Sequence, residues 1–163
     1  MSAWQTATDP AEVHALLEAS DAHQAEQSGT PAPVRRFATT QSLVENGCVR
    51  LLRRDGQAVA MFTLIRRPRG DTPPDYPPAS RPAQLSRLAV APDALAEGSL
   101  AGVGCVREAI RLATAWGADV LRAEANPDLR ATRRLLAQLG FEQCGPVHTD
   151  DTGRRFVHLQ KTL

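Results

Sequence analysis

Residues 98–104, "GSLAGVG", stand between an apolar run, "LSRLAVAP", and a helix-like stretch, "CVREAIRLATAWG". A glycine-rich turn that opens a helix presents unpaired backbone N–H groups at the positive end of the helix dipole. That arrangement receives phosphate. Glycine at 102 and 104 lets the backbone approach phosphate oxygens closely. The turn contains no basic residue, so binding there rests on the Ser99 hydroxyl and on the amides of Leu100, Ala101, Gly102, Val103 and Gly104.

A second group with chemical potential is Glu124, in "VLRAEA", with Arg122 on the same strand face and Asn126 beyond it. As a general base it would deprotonate an ammonium directly or through one water. The plainer reading is an exposed, salt-bridged strand residue. His14 and His23 read as surface residues of a first helix. His148 and His158 flank a final hairpin, and His158, alternating with Val157 and Leu159, faces out or is a satisfied sheet residue. Cys48, Cys105 and Cys144 are odd in number, lack metal-type spacing and read as buried thiols in a reducing compartment; no metal site is expected.

The elements that must position these groups are legible in turn. "TDPAEVHALLEASDAHQAEQ" predicts a helix over about 10–26, with Asp9 as N-cap, Pro10 in the first turn and Glu12 three residues after the cap. A short helix follows in "TTQSLVEN", capped by Thr39 or Thr40 and stopped at Asn46-Gly47. "CVRLLRRDGQAVAMFTLIRRP" is a hairpin about Asp55-Gly56, a pair suited to a type I′ turn. A proline-dense loop at 68–82 carries the only tyrosine, Tyr76, either as a lid over a ligand or as an apolar anchor. A strand to Pro92, helices over about 103–116 and in "LRATRRLLAQLG", and strands "ADVLRAEA" and "RRFVHLQKTL" complete the order, with one extra strand near "TATD" or "FEQCGP".

The 163 residues, with 42% hydrophobic and 23% charged content, suit a single folded domain spanning 1–163. A formal charge of +1 and the lack of a basic stripe argue against nucleic acid. No apolar run is long enough to span a membrane and no leader is evident, so a cytoplasmic protein is expected.

This order resembles the GCN5-related N-acetyltransferase family, on "RLAVAP" at 87–92, "GVG" at 102–104 opening a helix, and "LGF" at 139–141 before "EQCGP". The resemblance covers essentially the whole chain. It implies an α/β (α+β) fold with a mixed, mostly antiparallel twisted sheet flanked by helices. It also implies acetyl-CoA as co-substrate, with the pyrophosphate on residues 99–104 and the pantetheine arm along Leu88, Ala89 and Val90, and Asn126 assisting. The activity implied is acetyl transfer to a primary amine of a small molecule or peptide, and relatives are often homodimers. The chain departs from the pattern at four places. Ser99 stands where relatives carry Gln or Arg, Leu136 where many carry a tyrosine acid, and Leu129 where they carry Asn. The acidic base of some relatives falls near Gln84. These departures favour an alternative, a fold member that binds ligand without transferring acetyl groups.

Overall fold

The structure, a computed structural model, describes residues 2–98 and 100–163. In chain order the elements are β1 (Ser2–Thr6), α1 (Pro10–Ser28), α2 (Phe37–Glu45), β2 (Val49–Arg54), β3 (Gln57–Ile65) and β4 (Pro82–Val90). They continue with α3 (Pro92–Ala96), α4 (Ala101–Ala115), β5 (Val120–Ala125), α5 (Arg130–Gln138), β6 (Glu142–Thr149) and β7 (Arg155–Thr162). The strand order is β1-β2-β3-β4-β5-β7-β6. β4 and β5 pair in parallel; β1–β2, β2–β3, β5–β7 and β6–β7 are antiparallel. This is the mixed, mostly antiparallel sheet that the resemblance implies.

Backbone contacts divide the chain into two units: residues through Leu64 with Arg87–Arg107, and Ile65–Ser86 with Glu108–Leu163. In the first unit, Asp9 accepts a hydrogen bond from the Ala11 N–H at 3.0 Å, satisfying one donor at the start of α1. Gly29, in the left-handed region at φ 68°, ends the helix. Val13, Leu16 and Leu17 of α1 and Val44 of α2 bury against Val49, Leu51, Met61 and Ala89 of the strands. Alternate strand residues point the other way. There Phe62 meets the Trp4 ring edge-on at 5.4 Å, and Trp4 lies beside Gly104 at the start of α4. The hairpin turn is as expected, with Asp55 and Gly56 both at positive φ.

Three local expectations are revised. α2 starts at Phe37, ahead of both expected caps, and the buried Thr40 hydroxyl, inside the helix, meets tertiary partners instead, His14 Nδ1 and Arg87 Nη1, each at 3.1 Å. Strands form at both β1 and β6, where one extra strand was expected. Of the cysteines only Cys105 is buried; Cys48, beside the Gly47 turn, and Cys144, on the outer strand β6, are half-buried. Burial pushes the Cys105 thiol up to about 12, so it stays protonated and inert at neutral pH.

In the second unit, β5, β7 and β6 pair in turn, and Val157 and Leu159 bury on one face. The other face carries Arg122, Glu124, His158 and Gln160, since the register sets Arg122 opposite Gln160 and Glu124 opposite His158. The proline-rich loop covers part of this face. Its Tyr76 is buried and donates from its hydroxyl to the Ala123 carbonyl at 3.0 Å. Burial, together with Glu124, raises the Tyr76 phenol well above its ordinary range. Tyr76 is therefore an anchor for the loop.

Candidate cofactor cradle

α4 begins at Ala101, and the Gly104 N–H donates to the Leu100 carbonyl at 3.0 Å. The N–H groups of Gly102 and Val103 fall in the opening turn, which an α-helix leaves without intrahelical acceptors. No acidic side chain occupies that turn to compete for an anion. Ser99, expected to supply a hydroxyl here, lies outside the described residues.

The chain's eleven glycines separate sharply. Nine adopt positive φ, where a side chain would be strained; Gly102 and Gly104 are helical. Glycine inside a helix costs about 1 kcal/mol relative to alanine. A Cβ on Gly104 would meet only the Trp4 ring, at 4.0 Å, which is ordinary contact. The fold's own backbone gives no reason for glycine at this position.

The adjoining segment of β4 is shaped by Arg87, a non-glycine residue at φ 51°. Such a conformation costs about 1–3 kcal/mol and persists only where surroundings enforce it. The Arg87 guanidinium bonds the Thr40 hydroxyl; desolvation, then repulsion from Arg35, lowers its pKa, with Asp21 opposing. Asp21 itself is buried and held by Arg35 through two hydrogen bonds of 2.8 and 3.2 Å. Beyond Arg87, Leu88 is half-buried and Ala89 and Val90 are buried. The Ala91 N–H donates to Val59 O of β3 at 2.8 Å, and the Val90 N–H turns the other way to Ser20 Oγ at 3.4 Å. By strand alternation the Leu88 N–H shares the Val90 direction.

Within the second unit, Glu124 is exposed and its carboxylate pairs with Arg154 at 2.7 Å. The Asn126 Oδ1 accepts from the Asp128 N–H at 2.9 Å, a local turn that leads toward α5. Sequence reasoning placed Arg122 correctly on the Glu124 face but missed its burial. Its guanidinium donates to Gln160 Oε1 at 2.9 Å and Pro77 O at 2.8 Å and stacks over the Tyr76 ring at 4.6 Å. His158 neither faces solvent nor is satisfied: it is buried, and its Nδ1 has no hydrogen-bond partner. The missed signal is Asp75 in "PDYPP", which reaches both His148 and His158. No periodicity marks a residue in such a loop.

No family model and no curated relative matches the sequence. Solved structures match it along nearly its full length. Ribosomal-protein-alanine N-acetyltransferase from Brucella melitensis superposes with a TM-score of 0.70 at 22% identity, covering 99% of each chain. Ribosomal-protein-S18-alanine N-acetyltransferase from Escherichia coli gives 0.71 at 17%, covering 99% of this chain and 94% of that one. Ard1 from Thermoplasma volcanium gives 0.73 at 12%, covering 99% and 97%. The mixed sheet, the strained residue in β4 and the glycine-opened helix thus assemble the fold of the GCN5-related N-acetyltransferases.

Proposed function

We propose that the chain is an acetyl-CoA-dependent N-acetyltransferase acting on a primary amine. The observation that supports it most is the pair of helical glycines, 102 and 104, at the start of α4. Neither takes the positive φ that accounts for the other glycines; the Gly102 N–H lies in the opening turn, where a pyrophosphate would be held by backbone N–H groups, and Gly104 stands one turn position behind it, its own N–H given to Leu100. The pantetheine arm then runs along Leu88, Ala89 and Val90. With the Val90 N–H engaged by Ser20, the Leu88 N–H is the donor assigned to polarise the thioester carbonyl as the amine attacks. Similar structures support the same cofactor, among them a NatC complex described with a Gag peptide and CoA (TM-score 0.74, 10% identity).

Calorimetric titration with acetyl-CoA tests this reading. Saturable binding at sub-millimolar concentration is expected; no heat and no thermal shift would sink it. Gly104→Ala sharpens the test through opposite signs. Relief of the glycine penalty is expected to hold or raise the melting temperature. The added methyl is expected to weaken acetyl-CoA binding at least about tenfold.

Glu124 is assigned as proton acceptor, held by Arg154 in the second unit. Glu124→Gln is then expected to lower kcat and leave acetyl-CoA affinity within about twofold. An unchanged kcat returns Glu124 to a surface ion pair.

A further inference from the structure

Asp75 of the proline-rich loop, His148 of β6 and His158 of β7 converge in the second unit, one ligand atom from each lying within 4.8 Å of the other two. His148 Nε2 contacts Asp75 Oδ2, and His158 Nε2 faces the same oxygen at 3.9 Å, beyond hydrogen-bond reach. His158 is buried and its Nδ1 is orphaned. One carboxylate oxygen is thus asked to serve two imidazoles, and the buried one gains no hydrogen bond from it. Burying polar nitrogen in this way is costly.

The surroundings are built around this convergence. β6 and β7 slip register between Cys144 and His148, so that Cys144 pairs with His158 and His148 with Phe156. The slip of two residues keeps His148 on the face of His158 and sets it opposite Phe156, one pair nearer, with the two imidazole rings 5.2 Å apart. Gly145, inside the bulge at φ 78°, leaves the space that Asp75 fills: a Cβ there would fall 2.7 Å from Asp75 Oδ1. Phe156 stacks on His148 at 5.3 Å, and Tyr76 tilts against His158 at 4.8 Å, walling the imidazoles.

We propose that Asp75, His148 and His158 bind one divalent transition-metal ion of the zinc class. Two imidazoles and one carboxylate are the donor set that borderline ions select over magnesium or calcium. At bond lengths of about 2.0–2.2 Å the donors need side-chain shifts of about 1 Å to close on one ion. Three protein ligands leave a position open to water. The ion would join the 68–82 loop to the last hairpin, and the site is independent of the cofactor reading.

Zinc ion titrated into the metal-free protein tests the proposal, with cobalt(II) absorption as a report on donor type. One ion per chain is expected. His148→Gln, at a half-exposed position, and Asp75→Asn should each weaken binding beyond the roughly 10–100-fold that loss of a supporting contact produces. Cys144→Ser should leave binding intact. Zinc should also protect the 68–82 loop from limited proteolysis in the native protein and give no protection in His148→Gln. No uptake by the native protein, uptake undiminished in His148→Gln, or uptake lost in Cys144→Ser would each overturn the assignment.

Discussion

Gly102→Asp is expected to abolish acetyl-CoA binding in a protein that remains fully folded. Position 102 is the second residue of α4, whose opening turn carries no acidic side chain. A carboxylate there faces the positive end of the helix dipole, which stabilises a helix by about 0.3–1 kcal/mol. Replacing a helical glycine also removes part of its conformational cost. The melting temperature should therefore hold or rise. If the pyrophosphate sits as proposed, the same carboxylate takes its place and repels it, so affinity should fall more than about 100-fold, or about 2.7 kcal/mol. Calorimetry and a thermal melt on the same sample separate the two effects. Unchanged affinity would move the cofactor site away from this helix, and a large loss of stability would show that the fold itself needs glycine at 102.

Arg122→Ala is expected to destabilise the protein by about 3 kcal/mol, lowering the melting temperature by roughly 6–12 °C for a chain of this size. The guanidinium is buried at 5% exposure and donates to both Gln160 and the Pro77 carbonyl. Removing it leaves those acceptors unpaired and takes the cation from the Tyr76 ring. Arg122→Met keeps much of the aliphatic stem while deleting the donors, and should still cost about 2 kcal/mol. Urea unfolding of the three proteins checks this. A methionine variant as stable as the native protein would show that packing, and not hydrogen bonding, holds the proline-rich loop.

Several local elements were legible because their signals are local. A glycine pair after an apolar strand, a proline at a helix start and an Asp-Gly hairpin each act within a few residues, and each appears where the sequence places it. Arg87 shows the limit of such reasoning. Local rules assign positive φ to glycine, asparagine or aspartate, and nothing in "SRLAV" marks an arginine for it. Thr40 fails for a related reason: its hydroxyl looks like a helix cap until His14 and Arg87 are seen to claim it.

By itself the sequence determined four of the five helices and the hairpin, since periodicity and turn chemistry are properties of neighbouring residues; the mixed sheet came through the resemblance, and the short helix α3 lies where a loop was expected. Alternation in β5 and β7 also separated two faces, with Val157 and Leu159 on one and Arg122, Glu124 and His158 on the other. What lies over the second face was decided only in three dimensions. A loop without periodicity, 68–82, folds across it, buries Arg122 and His158, and carries Asp75 to two histidines distant in sequence. Burial of a strand face depends on what packs above it, and no pattern within the strand records that.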